Sequence, residues 1–102
     1  MPNTTKETII VDIPVFEETN NNNYNLILLN DDLTPMGYVT FALATVFEKD
    51  EQTSDALMRQ AHENGSAVID TVSYETGKKK IEALAILNML LGFNLRVTMK
   101  QN

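Results

Sequence analysis

The sequence predicts a small α+β domain with the element order βααβαβ, preceded by a flexible extension. Three observations indicate this: apolar segments of strand length, longer segments with apolar residues at helical spacing, and capping residues at the helix ends. At 102 residues the chain has room for one domain with a modest core. Element order leaves parallel and antiparallel pairing open. A small sheet covered by helices on one face would bury the apolar stripes.

The first strand and the first helix meet at a polar junction. Residues 24–30 have strand length and run into an Asn-Asp-Asp sequence, which is typical of a strand boundary. Thr34 as N-cap, with Pro35 in the first helical position, predicts the start of a helix. Helical spacing then continues through Val39, Ala42, Leu43, Val46 and Phe47.

The second helix is predicted from its two ends and from one apolar face. Asp50 is a candidate N-cap, and Asn64-Gly65 is a typical C-terminal stop. Leu57, Met58, Ala61 and His62 share one face at helical spacing. The spacing therefore predicts a helix that presents a histidine beside apolar residues.

A strand, a third helix and a last strand complete the domain. Residues 66–72 alternate as a strand does, and residues 95–99 form the final strand. Between them, Ser73 can cap a helix that Gly92 ends. Gly77 lies in the first turns of that helix, where glycine costs about 1 kcal/mol relative to alanine.

Residues 1–23 differ in composition from the rest of the chain. The four asparagines at 20–23 have no apolar face to bury, which indicates a flexible spacer. The apolar stretch at 9–16 suits a short strand or a partner-binding peptide, although Pro14 excludes a central strand. We therefore divide the chain into a flexible extension (1–23) and a domain (24–102).

Charge and composition exclude several classes of protein. A net charge of −6 argues against binding a phosphate backbone, which needs clustered Lys and Arg. The basic run at 78–80 is typical of a solvated helix face. Without cysteine there are no disulfides and no thiolate chemistry, which fits a reducing compartment. No signal peptide and no apolar segment of about 18 residues is seen, so we expect the cytoplasm.

Asp31 and Asp32 have two interpretations. Asn and Asp residues often stabilise turns by bonding to their own backbone. Alternatively, two carboxylates and the Asn30 amide form a cation site, since they can accept charge-assisted hydrogen bonds from an ammonium group. An α-amino group, with a reference pKa of about 7.7–8.0, is mostly protonated at neutral pH. A metal ion is a weaker option, because no EF-hand pattern accompanies these oxygens.

His62 and the methionines are also open to two interpretations. A single histidine is more often structural than functional, but a neutral imidazole can accept a hydrogen bond from an ammonium group. Met58 lies one turn earlier on the same helix face. Met36, Met58 and Leu95 have the character of core residues, yet methionines also line adaptable pockets for aromatic groups.

Catalysis has little support in the sequence. There is no cysteine, no Gly-x-Ser-x-Gly elbow and no Gly-rich phosphate loop. One histidine and one carboxylate pair suit an acid–base site, but no nucleophile accompanies them. The sequence therefore predicts no enzyme, no cofactor and no metal site.

Two motifs together resemble the ClpS adaptor family. They are NDDLTPM at 30–36 and, downstream, LM-x-x-AH-x-x-G-x-A at 57–67. The similarity covers residues 24–99. It implies a three-stranded antiparallel sheet beside three helices. It also implies an adaptor that brings proteins with Leu, Phe, Tyr or Trp as first residue (N-degrons) to a Clp-type AAA+ unfoldase, ClpA- or ClpC-like.

The resemblance also implies roles for individual residues. The substrate α-amino group would be held by Asn30, Asp31 and His62. The side-chain pocket would be formed or supported by Asp32, Thr34, Met36, Met58, Ala61 and Leu95. Met36 would act as a gatekeeper against β-branched first residues. Glu75 and Lys80 would contact the N-domain of the unfoldase, and the extension 1–23 would engage it as well.

Two positions depart from the family pattern, and one other function competes. Ala61 stands where the family often has valine, which implies a wider pocket, and Leu33 replaces a common tyrosine. The competing hypothesis is a non-enzymatic binding module with the fold of a ribosomal stalk domain. In that case the helix face at Lys78–Lys80 would bind the partner, and Asp31 and His62 would have no role.

Overall fold

The computed structural model describes residues 3–6, 8–11 and 23–102. The helices and strands are β1 Asn3–Lys6, β2 Thr8–Val11, β3 Tyr24–Leu29, α1 Met36–Thr45, α2 Glu51–Asn64, β4 Ser66–Val72, α3 Tyr74–Leu91 and β5 Val97–Gln101. From β3 onward the order is βααβαβ, which confirms the predicted α+β fold.

Strands β3, β4 and β5 form one antiparallel sheet with β3 in the centre. Leu28 of β3 lies opposite Ala67 of β4 and Val97 of β5, and all three side chains are buried. Because successive side chains of a strand point to opposite faces, this row marks the face that the helices cover. The pairing directions that element order left open are therefore all antiparallel.

Helices α2 and α3 pack against that face, α1 packs against α2, and the described residues of all three helices contribute to the hydrophobic core. At Gly77, α3 approaches the sheet closely, since a Cβ atom there would collide with Met99 and crowd Val72. The close packing explains a glycine that disfavours the helix locally. The buried apolar residues are Leu26, Leu28, Tyr38, Val39, Ala42, Leu43, Val46, Phe47, Leu57, Ala61, Ala67, Ile69, Leu84, Leu95 and Val97.

The predicted ends of α2 and α3 are confirmed. The side chains of Asp50 and Ser73 each accept a hydrogen bond from the backbone N–H three residues on, at 2.7 and 3.2 Å. The hydrogen bond from the backbone N–H of Thr53 holds the pKa of the Asp50 carboxyl below its usual range. Gly65 and Gly92 end the two helices with φ angles of 90° and 78°, in the left-handed region that favours glycine.

Thr34 is not the N-cap of α1, so that prediction was wrong. The helix begins at Met36, and Pro35 precedes it without a side-chain capping bond. The Thr34 hydroxyl instead donates to Asp31 Oδ2 at 2.7 Å. Pro35 is extended, with ψ at 141°, so the helix starts one residue later than predicted and Thr34 lies before the capping position.

The last strand begins later than predicted, at Val97 instead of residue 95. Leu95 is buried, but its backbone does not pair with β3. Its N–H donates to Asn88 Oδ1 at 3.3 Å, and its carbonyl accepts from Asn88 Nδ2 at 2.9 Å. A side chain of α3 therefore replaces the strand partner at this position.

The predicted flexible extension (1–23) falls mainly outside the described residues. Within it, β1 and β2 pair in antiparallel fashion. The extension and the domain boundary at residue 24 stay predictions. Among the described residues, no helix has the length and apolar character needed to cross a bilayer.

We predict that Gly65→Ala destabilises the protein by about 1–2 kcal/mol, the strain of a left-handed conformation in a non-glycine residue. No atom lies within 4 Å of the added Cβ, so strain alone accounts for the loss. Urea unfolding, read as a shift in midpoint at constant slope, measures it.

Gly37→Ala is the matched control, because an added Cβ there also meets no atom within 4 Å. Gly37 lies inside α1, where alanine is favoured by up to about 1 kcal/mol. We expect this variant to be more stable than the wild type. Equal midpoints for the two variants would contradict the strain argument.

Candidate functional site

A cavity of about 120 Å³ opens between the end of β3, the start of α1 and the second half of α2. An apolar protein cavity of roughly 150 Å³ can hold benzene. The space is therefore on the scale of a single side chain, and it is smaller than the sites of about 300–1,000 Å³ that hold drug-sized ligands.

The structure brings together every residue predicted for the amine site and the side-chain pocket. Asn30 and Asp31, which follow β3, form one half of the site, and His62 of α2 belongs to the other half; all three line the cavity. The other predicted residues that line it are Asp32, Thr34, Met36, Met58, Ala61 and Leu95.

Sequence reasoning missed Leu28, Leu29 and Val39, which complete the cavity wall. Leu28 and Val39 are also buried core residues. A signal was present for Val39, because it follows Met36 by three positions and so shares its helix face.

The two halves of the site are joined by one backbone hydrogen bond. The N–H of Asn30 donates to the carbonyl of Gly65 at 3.0 Å. Asn30 follows the last residue of β3, and Gly65 ends α2 within one turn of His62. The bond continues the pairing of β3 with β4, so the sheet itself sets the distance between the Asp pair and the histidine.

Asp31 is held by its own turn. Its Oδ1 accepts from the N–H of Leu33 at 2.8 Å, and its Oδ2 accepts from the hydroxyl of Thr34 at 2.7 Å. These bonds, the backbone one first, lower the pKa of the Asp31 carboxyl from its usual value, so it stays ionised at neutral pH. An ionised carboxylate has about four acceptor positions, of which two are left for a ligand.

The two interpretations of Asp31 are therefore compatible. The turn fixes the carboxylate, and the unused lone pairs leave it able to accept from a cation. Within the described ranges, no group of three or more His, Asp or Glu side chains is arranged to hold a metal ion. A single ammonium group needs fewer acceptors than a metal ion.

The inner wall of the cavity is buried, whereas its methionines are more exposed. Ala61 and Leu95 are buried, at 3% exposure each. Met36, by contrast, is 57% exposed, and Met58 is only partly buried against the core. Thioether side chains adapt their shape easily, so the methionines can close around side chains of different shape.

Asn88 fixes the position of Leu95 in the cavity wall. Besides its two bonds to the Leu95 backbone, it accepts from the hydroxyl of Tyr38 at 2.7 Å. Burial raises the pKa of Tyr38, which keeps the hydroxyl protonated and donating. The ring of Tyr38 also packs on Phe93, with centroids 4.2 Å apart. One amide thus ties α1, α3 and the segment before β5 together.

Glu75 and Lys80 do not line the cavity; both lie on α3. Glu75 is exposed in the first turn. Lys80 donates to the carbonyl of Val46 at 3.0 Å, and its Nζ lies 3.3 Å from the Glu48 carboxylate. Lys80 therefore already holds the connection between α1 and α2.

Comparison with known proteins gives the family. The sequence model of the family described as "ATP-dependent Clp protease adaptor protein ClpS" matches residues 19–98. The chain belongs to the ClpS family. This confirms the resemblance seen in the two motifs, and it favours the ClpS assignment over the ribosomal-stalk hypothesis.

Curated ClpS adapter proteins are similar over different lengths. The one from Nautilia profundicola is 35% identical over 78 residues, which are 76% of this chain and 80% of the relative. The one from Treponema denticola is 38% identical over 58 residues, or 57% of either chain. The match with the Leptospira biflexa protein spans 51% of that relative. The chain thus covers only about half the length of some ClpS relatives.

A solved ClpS structure shares the fold. It is ClpS2 from Agrobacterium tumefaciens bound to L-phenylalaninamide, with a TM-score of 0.74 and 34% identity. The match covers 80% of this ClpS-family chain and all (100%) of that chain.

We predict that Asn88→Leu lowers the free energy of unfolding by about 1.5–4.5 kcal/mol, the sum of three hydrogen bonds at about 0.5–1.5 kcal/mol each. Tyr38→Phe removes only one of these bonds and should cost about 1 kcal/mol. Chemical unfolding of both variants and of the double variant completes the cycle. Additive losses would show that Tyr38 and Asn88 do not interact.

Proposed function

We propose that this chain is a non-catalytic adaptor that binds the free N-terminal residue of a protein. The first residue would be Leu, Phe, Tyr or Trp, and the bound protein would be delivered to a Clp-type AAA+ unfoldase and its peptidase. The cytoplasmic location predicted from the sequence is part of the same proposal. One observation carries it: a single cavity has an apolar interior and, at its edge, Asn30, Asp31 and His62.

A free peptide N-terminus has the chemistry that this cavity matches. It is an ammonium group with a side chain on the adjacent carbon. Asp31 supplies a fixed negative charge. The Asn30 amide oxygen and an unprotonated nitrogen of the His62 ring are further acceptors. The interior bounded by Ala61 and Leu95 then receives the side chain.

The ligand of the similar structure supports the same assignment. L-Phenylalaninamide, bound to Agrobacterium tumefaciens ClpS2, is a phenylalanine with a free amino group and an amide in place of the carboxylate. It therefore stands for the first residue of a chain. A cavity of about 120 Å³ is of the right order for its ring.

The energetics favour reversible binding of N-terminal residues only. Burial of a large apolar side chain contributes about 1.5–3 kcal/mol. Each hydrogen bond to the charged amine contributes about 1.5–3 kcal/mol. Ordering and association costs offset part of this, which leaves the moderate affinity that suits transfer to another protein. An internal phenylalanine offers no ammonium, so the polar groups at the cavity would lose water without gaining a partner.

The partner assignment is part of this proposal and rests on family membership and on α3. Glu75 is exposed and available to the N-domain of a ClpA- or ClpC-like unfoldase. Lys80 has three N–H donors, and two of them are directed at Val46 and Glu48, so one is left for a partner. Glu75 is thus the cleaner position at which to test the interface, because changing Lys80 would also disturb the connection between α1 and α2.

We predict that acetylation of a Phe-initiated peptide weakens its binding about tenfold to a hundredfold, because the amide formed carries no charge and fewer donors. Fluorescence anisotropy with the free and the acetylated peptide measures this. Equal affinities would show that the ammonium group is not recognised.

The pH dependence of binding, compared between the free and the acetylated peptide, is the control for recognition of the amine. Binding of the free peptide should fall above about pH 8, where its α-amino group loses the proton. Because the pKa of Asp31 is lowered from its usual value, this carboxylate stays charged at about pH 5 and above. Titration of Asp31 therefore causes no loss of binding between about pH 5 and 8. The acetylated peptide has no titrating amine and should show no alkaline decline.

For delivery, we predict that Glu75→Lys abolishes adaptor-dependent degradation of a Phe-initiated substrate but leaves peptide binding within about twofold, because α3 does not carry the cavity's amine site. The assay uses a purified ClpA- or ClpC-type unfoldase with its peptidase. Glu82→Lys, the same charge change two turns along α3, is the control and should remain active. If both variants fail, the cause is net charge and not a contact at Glu75.

A further inference from the structure

Leu33 is an unusually exposed apolar residue beside the cavity. Its side chain is 92% exposed, more than that of any other large hydrophobic residue in the described ranges. Its neighbours in sequence, Asp32 and Thr34, both line the cavity, but Leu33 itself does not. The leucine therefore stands next to the site with its side chain directed at solvent.

The backbone of Leu33 is held in place although its side chain is free. Its N–H donates to Asp31 Oδ1 at 2.8 Å, and Thr34 bonds the other oxygen of the same carboxylate at 2.7 Å. The residues at 33 and 34 are thus both hydrogen-bonded to the Asp31 carboxylate. A side chain presented from such a turn can make contacts without first ordering the backbone that carries it.

The position of Leu33 relative to a bound chain follows from the proposed function, on which this inference rests. If the substrate amine lies at Asp31, it shares its acceptor group with the N–H of Leu33. Consecutive Cα atoms are about 3.8 Å apart, so the second and third substrate residues start within about 8 Å of the first. That distance is within reach of a leucine side chain beside the cavity mouth.

We propose that Leu33 is a specificity-determining residue that favours substrates with an apolar side chain in the two positions after the first. The contact removes apolar surface of both partners from water, which the cavity itself does not do for these positions. It requires no movement of the core, because Leu33 takes no part in it. The chain would thereby discriminate among proteins that share the same first residue.

The test uses the peptides Phe-Gly-Gly, Phe-Leu-Gly and Phe-Gly-Leu, each extended by the same labelled sequence. With the wild type, at least one leucine-containing peptide should bind about threefold to tenfold more tightly than Phe-Gly-Gly, the effect of burying part of two leucines. With Leu33→Ser this advantage should fall below twofold, while the affinity for Phe-Gly-Gly stays unchanged.

Leu90→Ser is the matched control, since Leu90 is also exposed, at 70%, but lies on α3 and does not line the cavity. It should keep the wild-type preference. Equal binding of the three peptides to the wild type, or a preference that survives Leu33→Ser, would overturn the proposal. Acetyl-Phe-Gly-Gly separates the two levels: if it binds as well as the free peptide, the proposed function fails instead.

Discussion

The site depends on one backbone hydrogen bond, from Asn30 N–H to the carbonyl of Gly65. It extends the β3–β4 ladder by one step and so brings the Asp turn next to the end of α2. The left-handed glycine at this point lets the chain leave the helix and enter β4 at once. Two segments that are distant in sequence thus form one site through main-chain geometry, which side-chain substitutions alter little.

A second constraint acts from the opposite side of the cavity. Asn88 replaces a strand partner for Leu95 and also ties Tyr38 of α1 to α3. The cavity wall is therefore positioned by polar contacts that join α1, α3 and the segment before β5. Amides that lose water are costly when unpaired, and both ends of this partly buried side chain are used. The Asn88 side chain therefore contributes both to the stability of the fold and to the shape of the pocket.

Much of this structure was predictable from the sequence, because the signals are local. Asp50, Ser73, Gly65 and Gly92 act at the helix ends where their chemistry places them. The failures concern backbone conformation and side-chain geometry. Pro35 stays extended, so Thr34 bonds Asp31 and does not cap the helix, while Leu95 pairs with Asn88 instead of a strand. Patterns of residue type do not specify these arrangements, although the partners lie only three and seven positions apart.

The turn around Asp31 has a further consequence in terms of entropy. A free aspartate must give up rotamer freedom when it binds a ligand, but this carboxylate has already done so during folding. Most of the remaining side-chain freedom at the site belongs to the methionines at the mouth. Recognition of the amine should therefore need little reorganisation, and variation in the bound side chain should appear mainly as differences in dissociation rate.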